Sequence, residues 1–132
     1  MTASYYGLSK KEYQKKIKEI SNKFNMTSFL HQRIGTLSTG QYQRTSISRC
    51  LIHNPKYYIL DEPTSGLDVI SSKTIIDFIK EMKKENKCIL YSTHYMEEAE
   101  NLADRIAIMV KGKLVALGTV KQLKKQSAKN NG

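Results

Sequence analysis

The chain has 132 residues, of which 39% are hydrophobic, and its 22 Lys and Arg against 12 Asp and Glu give a net charge of +10. This length predicts one domain, or a piece of a larger one, and no apolar run approaches the roughly 20 residues that span a bilayer. The N-terminus has no basic region followed by an apolar one, so no secretory signal is predicted. Cys50 and Cys88 lack CxxC or Cys/His spacing, which favours reduced packing residues of a cytosolic protein.

The positive charge favours an anionic partner, which can be a nucleotide, a nucleic acid or an acidic lipid surface. However, the lysines are scattered over residues 10–23, 80–87 and 121–129, as on an ordinary solvated surface. A helix-turn-helix, an RNA-binding strand signature and zinc-ligand spacing are all missing from the sequence. Nucleic-acid binding therefore ranks third among the functional hypotheses, and no nucleic-acid partner is expected.

The first 54 residues are predicted to be helical, as part of a helical subdomain. A capping-box pattern of Ser9 and Glu12, followed by apolar residues at helical spacing, predicts the first helix. Asn54-Pro55 ends the last helix of this part. The predicted elements are a frayed lead-in over 1–8, a helix over 10–24, a short helical turn over 27–32, a loop over 33–36 and a helix from 38 or 39 to about 53.

The rest of the chain, residues 55–132, alternates strands with helices and predicts the core of an α/β fold with a mainly parallel sheet. Two short apolar runs, 57–60 and 88–93, are predicted to be buried strands. The other predicted elements are helices over about 70–82, 96–103 and 120–126, a hairpin of strands 106–110 and 114–117, and a disordered tail from about 127.

Three short motifs carry the candidate chemistry. A Leu-Ser-Thr-Gly-Gln stretch that ends at Gln41 opens the second helix, where free backbone N–H groups and the helix dipole favour an anion. A strand that ends in the adjacent carboxylates Asp61 and Glu62 runs into a Pro and Gly turn that closes at Asp68, which predicts acids at a sheet edge. His94 follows the second strand. Each motif alone is weak, and a lone histidine after a strand is more often structural.

The order and spacing of these motifs are far more specific than any one of them. Asp61 follows Gly40 by 21 residues, and Asp68 and His94 follow Asp61 by 7 and 33 residues. This arrangement resembles the second half of an ATP-binding-cassette (ABC) nucleotide-binding domain, the ATPase subunit of membrane transporters, over about the whole chain. The resemblance implies part of a RecA-like P-loop NTPase fold, with ATP and Mg²⁺ as cofactors and ATP hydrolysis coupled to transport.

The resemblance implies that the start of the second helix is the family's signature loop. Ser38, Thr39, Gly40 and Gln41 match that loop, which in the family touches the γ-phosphate of ATP bound to the opposite subunit. Thr39 replaces the more frequent glycine, a variant also found in export-type members. These four residues are therefore interpreted as nucleotide-binding, and only across a dimer.

The resemblance also implies roles for the acids and the histidine. Asp61 matches the Walker B acid, which orients Mg²⁺ through water, and Glu62 matches the general base that polarises the attacking water. Asp68 ends the D-loop, which crosses the dimer interface, and His94 matches the switch histidine that donates to the γ-phosphate. Glu62 and His94 are thus interpreted as catalytic, Asp68 as nucleotide-binding and Asp61 as metal-binding.

The Walker A P-loop that such a site needs, Gly-x-x-x-x-Gly-Lys-Ser/Thr, has no counterpart in the sequence. Gly35 and Gly40 have its glycine spacing, but Gln41-Tyr42 stands in place of Lys-Ser/Thr. The family's Q-loop glutamine and adenine-stacking aromatic are missing too. We therefore expect the chain to be the C-terminal portion of an ABC ATPase, which alone neither binds nor hydrolyses ATP.

The family implies partners and a location for the chain. The partners are a second nucleotide-binding domain, transmembrane transporter subunits and a separate N-terminal half that carries Walker A, at the cytoplasmic face of the membrane. The alternative is a non-catalytic module, or a truncated remnant, that docks membrane subunits. In this class the P-loop strand lies between strands 88–93 and 106–110. Its absence predicts either that these two strands pair with each other or that the first keeps an open edge.

Overall fold

The computed structural model describes residues 9–130, and the predictions for 1–8 and 131–132 lie outside this part. The elements in chain order are α1 (Lys10–Lys23), a 3₁₀ turn (Ile34–Thr36), α2 (Thr39–Leu51), β1 (Tyr57–Asp61), α3 (Val69–Lys84), β2 (Cys88–Ser92), α4 (Met96–Leu102), β3 (Ile106–Val110), β4 (Lys113–Gly118) and α5 (Val120–Asn130). The chain forms two compact units, one ending at Ser92 and the other beginning at Thr93. Between residues 9 and 130, no helix is both long and apolar enough to cross a bilayer.

The predicted strands and the five predicted helices are confirmed, with ends that differ by a few residues. Residues 27–32 form turns instead of the predicted helical turn, and the predicted loop over 33–36 contains the 3₁₀ turn. The expected disorder from 127 is not found over 127–130, because α5 continues to Asn130.

The core of the first unit lies between the three helices α1, α2 and α3 and one face of the β1–β2 sheet. The Phe78 ring of α3 is 5.2 Å from the Phe24 ring and 5.9 Å from the Tyr58 ring, centroid to centroid. The buried apolar residues of this unit are Ile20, Phe24, Met26, Phe29, Ile47, Leu51, Tyr58, Leu60, Ile75, Phe78, Ile79 and Met82. The helices before residue 54 and the strand after it therefore share one core.

Two sheets are present, and each has two strands in the described part of the chain. β1 and β2 pair in parallel, with Tyr57 opposite Cys88 and Asp61 opposite Ser92, and β3 and β4 pair as an antiparallel hairpin. The predicted parallel pair and the predicted hairpin are thus confirmed. Strands 88–93 and 106–110 lie in different units, so the two alternatives predicted for them stay predictions.

The sequence predicts that β1 and β2 are buried, but only one face of their sheet is. Tyr58 and Leu60 point into the core and are 4% and 8% exposed, whereas Tyr57 and Ile59 are 74% and 79% exposed and Leu90 of β2 is 67% exposed. A parallel sheet is normally covered on both faces. Here the helices of the first unit cover one face, which leaves the other face apolar and open.

The two cysteines do not pack in the core. Cys50 in α2 and Cys88 in β2 are exposed free thiols, so the prediction that they are packing residues is wrong. The Cys50 thiol donates to the Ser46 carbonyl at 3.7 Å, and the Cys88 N–H donates to the Lys56 carbonyl at 2.9 Å. Both residues are held by polar contacts at the surface, which a hydrophobic pattern does not report.

Candidate functional site

The two adjacent carboxylates lie at the carboxyl end of β1. Asp61 is the exposed last residue of the strand, and Glu62 follows it, half-buried, with φ at +44°. Consecutive strand residues point to opposite faces of a sheet, but a left-handed φ ends the strand geometry at Glu62. The chain therefore turns directly after Asp61, as the Pro and Gly signals predict.

Ser92, the last residue of β2, links the two acids. Its hydroxyl donates to Asp61 Oδ1 at 2.5 Å and accepts from the Glu62 N–H at 2.9 Å. The parallel register places Ser92 opposite Asp61, so one side chain reaches both residues. Ser92 was not singled out from the sequence. The strands predicted over 57–60 and 88–93 differ in length, so the register that brings Ser92 to Asp61 could not be predicted from them.

The donor set at the end of β1 suits a hard cation. Asp61 supplies a carboxylate, and Ser92 supplies a hydroxyl that contacts it. Mg²⁺ takes oxygen ligands, keeps several of its waters and is usually held by one or two carboxylates. These oxygen donors therefore fit Mg²⁺ held at Asp61 through water. Over residues 9–130, no group of three or more His, Cys, Asp or Glu side chains is placed to hold a metal ion.

The signature-like segment forms the N-terminus of α2. The Ser38 hydroxyl accepts from the Gln41 N–H at 3.3 Å, and Gln41 Oε1 accepts from the Ser38 N–H at 2.9 Å. This reciprocal capping box fixes the entry into a helix of 13 residues whose first turn contains no acid. Thr39 and Gly40 are the first two helical residues. The positive end of the helix dipole thus has no acidic side chain of its own first turn beside it.

Asp68 closes the turn after the acid pair and caps α3. Its Oδ1 accepts from the Ser71 N–H at 2.8 Å, and its Oδ2 accepts from the Ser71 hydroxyl at 2.7 Å. These hydrogen bonds, the backbone one first, hold the pKa of Asp68 below its usual value. Gly66 supports the turn with φ at +68°, a conformation that glycine adopts without strain. Asp68 thus has a structural role, whatever it contacts across an interface.

The structure brings some of the predicted site residues together within the first unit. Asp61 and Glu62 share Ser92, and Gly40 lies against Asp68 and Ser71. His94 belongs to the second unit, where it is exposed and its ring centroid lies 4.0 Å from that of Tyr95. Its role toward a nucleotide stays a prediction.

Comparisons with known proteins find a family and relatives to which the chain is similar. The family model for the ABC transporter matches residues 2–65. The chain is 38% identical over 118 residues to the ABC transporter ATP-binding protein NatA of Bacillus subtilis. The aligned region covers 89% of this chain and 48% of NatA. The chain is also 38% identical over 117 residues to the molybdate/tungstate import ATP-binding protein WtpC of Pyrococcus abyssi. This aligned region covers 88% of this chain and 34% of WtpC.

A solved structure also resembles the whole fold. It is described as the ATP binding subunit of an ABC transporter, and it superimposes with a TM-score of 0.82 at 30% identity. The match covers 96% of this chain and 52% of that chain. The chain spans about half the length, or less, of the relatives that it matches.

Proposed function

The chain belongs to the family of ABC transporter ATP-binding proteins, and we propose that it supplies the signature, Walker B and switch-histidine part of a transporter ATPase. One observation carries the proposal: Asp61 and Glu62 lie at the carboxyl end of β1 and are tied by Ser92 to the same end of the parallel strand β2. Ligands of open α/β sheets bind outside the carboxyl ends of the strands. This location supports a role of the acid pair in processing a nucleotide phosphate.

The proposed chemistry divides between the two acids. Asp61 would hold Mg²⁺, with its carboxylate oriented by the Ser92 hydroxyl. Glu62 polarises the attacking water, and the hydrogen bond from its N–H to Ser92 fixes the turn that sets the direction of its carboxylate. When bound, Mg²⁺ supplies charge neutralisation to the phosphates. His94 donates to the γ-phosphate.

The remaining partners follow from the proposed family role. The segment 38–41 and Asp68 face the ATP of a second nucleotide-binding domain, and transmembrane subunits dock at the cytoplasmic face of the membrane. The lean toward export that Thr39 suggests stays a prediction, and WtpC, one of the relatives at 38% identity, is named an import protein.

The 132-residue chain alone is proposed not to bind ATP. Its sequence contains no P-loop, and each charge-assisted contact of such a loop is worth roughly 1.5–3 kcal/mol. The loss of three such contacts would lower the affinity by roughly three to six orders of magnitude. Calorimetric titration with ATP and Mg²⁺ is expected to show no saturation at millimolar nucleotide. Saturable micromolar binding would contradict this part of the proposal.

Catalysis is tested by complementation. The chain is mixed with an N-terminal half of an ABC ATPase that carries a P-loop, and phosphate release is measured. We expect activity in the mixture alone, and a loss of about 100-fold or more with Glu62→Gln. Glu97→Gln, which neutralises an exposed acid in α4, is the matched control and should leave the rate unchanged. A mixture that binds but does not hydrolyse ATP would favour the non-catalytic alternative.

The open face of the β1–β2 sheet is the proposed contact surface for that P-loop half. Tyr57, Ile59 and Leu90 are mostly exposed there, and about half or more of each matched relative has no counterpart in this chain. Leu90→Lys is expected to weaken association with the P-loop half in size-exclusion chromatography, since it places a charge in an apolar contact. Ile34→Lys, at an exposed apolar residue outside the sheet, is the control.

A further inference from the structure

Gly40, in the first turn of α2, lies directly against the start of α3. A Cβ atom on Gly40 would stand 2.4 Å from Ser71 Oγ, 3.0 Å from Ser71 Cβ and 3.1 Å from Asp68 Oδ2. The first of these distances is shorter than any real van der Waals contact of a Cβ atom. Position 40 therefore accommodates glycine alone for as long as the Ser71 side chain stays in place.

The Ser71 hydroxyl cannot rotate away from Gly40 without breaking its hydrogen bond to Asp68. Ser71 is 3% exposed, its hydroxyl donates to Asp68 Oδ2 at 2.7 Å, and its N–H donates to Asp68 Oδ1 at 2.8 Å. Both carboxylate oxygens of Asp68 are thus bound by one residue, and hydrogen bonds to an ionised acceptor are the stronger kind. The same side chain that holds Asp68 also fills the space beside Gly40.

A second link joins α2 to the segment between the acid pair and Asp68. Gln43, three residues after Gly40, donates from Nε2 to the Pro63 carbonyl at 3.3 Å, and the Pro63 side chain is fully buried. Ser71 holds one end of the segment 63–68 against α2, and Gln43 holds the other. Because these two contacts lie apart, they fix the orientation of the segment 63–68 relative to α2 as well as its distance from α2.

We propose that Ser71 is a positioning residue that joins the first turn of α2 to Asp68, so that these two segments move as one body. The functional meaning rests on the proposed function, in which residues 38–41 and Asp68 both meet the ATP site of a second subunit. With Ser71 in place the two segments reach that site together. Without it, only the Gln43 link to Pro63 remains, and Asp68 adjusts independently of the first turn of α2.

The first test removes, one at a time, the hydroxyls of Ser71 and Thr74 in α3 of the isolated chain. Ser71→Ala removes the hydroxyl beside Gly40, and we expect the Gly40 amide resonance to shift and first-turn amides of α2 to exchange about fivefold faster. Thr74→Ala, whose hydroxyl bonds only the Ile70 carbonyl at 3.0 Å, should leave Gly40 unchanged. An unmoved Gly40 resonance in Ser71→Ala would overturn the inference.

The second test enlarges the side chain at Gly40 and removes the one at Ser71, a pair of changes called the size exchange. Gly40→Ala is expected to raise the unfolding equilibrium constant about tenfold or more when Ser71 is present, and to have little effect in a Ser71→Gly background. Gly35→Ala, where a Cβ meets nothing within 4 Å, is the control for adding a methyl group to this region. If Gly40→Ala does not fold, folding of the double variant is itself the rescue.

Equal effects of Gly40→Ala in the two backgrounds would contradict the role of Ser71. This outcome is independent of the proposed ATPase function, because the size exchange is measured on the chain alone. Conversely, a complemented mixture without ATPase activity would remove the proposed function and leave the size exchange unaffected. The two failures are therefore distinguishable.

Discussion

The two faces of the β1–β2 sheet differ in their surroundings while they share an apolar character. On one face Tyr58 and Leu60 pack against the core around Phe78, and on the other face Ile59 and Leu90 are mostly exposed. Both faces have the side chains of a parallel sheet that is covered on both sides. An apolar strand sequence therefore indicates the surroundings to which the strand is suited, and not whether a covering element is present. The predictions below test how far the two faces differ.

The largest expected difference is between two leucines on opposite faces of the same sheet. Leu60→Ala empties a site that is 8% exposed and is expected to cost about 2–5 kcal/mol in the free energy of unfolding. Leu90→Ala, at a site that is 67% exposed, should change it by less than about 0.5 kcal/mol. Urea unfolding of the isolated chain measures both. Equal losses would show that the exposed face is covered in solution, for example by self-association.

The same comparison explains which parts of the fold follow from the sequence. Periodicity and capping signals predict the helices and strands because these depend on neighbours along the chain, as at Ser9 and Glu12. Burial of β2 does not follow, since an apolar run records suitability for a core and not whether a covering element is present. The prediction that Cys50 and Cys88 are packing residues fails for the same reason, since both are exposed.

The covered side of the first unit also depends on a polar link at Arg44. Its Nη1 donates to the carbonyls of Phe24 and Asn25, both at 3.2 Å, and its guanidinium lies 5.1 Å from the Phe29 ring centroid. Arg44→Lys removes the planar fork that makes these contacts together, and we expect a loss of about 2 kcal/mol in the free energy of unfolding. Arg49→Lys, at an exposed site of the same helix, is the control in urea unfolding and should be neutral. Equal effects would contradict the link.

A smaller effect on the free energy of unfolding, of the opposite sign, is expected at Tyr58 and not at its neighbour Tyr57 in β1. The Tyr58 hydroxyl is buried and has no hydrogen-bond partner among the described residues, whereas Tyr57 is 74% exposed. Tyr58→Phe is expected to stabilise the fold by about 1 kcal/mol, because it removes an unsatisfied buried group. Tyr57→Phe should be neutral. A loss of stability in Tyr58→Phe would mean that a bound water satisfies the hydroxyl.

The stability difference between Tyr58→Phe and the wild-type chain is expected to grow at alkaline pH. Burial raises the pKa of Tyr58, and the nearby Glu85 carboxylate and Cys50 raise it further. A group whose folded pKa lies above its unfolded value of about 10 contributes stability that is lost as pH rises through the folded pKa. Above about pH 10, Tyr58→Phe should therefore retain more of its stability than the wild-type chain does.

The candidate site was predictable as motifs but not as contacts. The positions of Asp61, Glu62 and Asp68 follow from a strand and a turn that are local in sequence. The hydrogen bonds of Ser71 to Asp68 are local, because Asp68 caps the helix that contains Ser71, and an Asp N-cap pattern could have indicated them. Ser92 reaches Asp61 through the parallel strand register, and the contact of Ser71 with Gly40 depends on the packing of α2 against α3. Such long-range geometry leaves no periodic signal in a single sequence.

The smallest expected effect concerns Asp68, the exposed residue that caps α3. Hydrogen bonds from Ser71 lower the pKa of Asp68, so its contribution to stability is present above the unfolded pKa of about 3.9 and is lost as pH falls through the lower folded value. Asp68→Asn keeps a good helix cap, so stability at pH 7 should fall only slightly. The stability difference between wild type and variant should narrow as pH falls below about 4. Asp77→Asn, in the exposed middle of α3, is the matched control, and a difference that stays constant with pH would contradict the role of the Asp68 carboxylate.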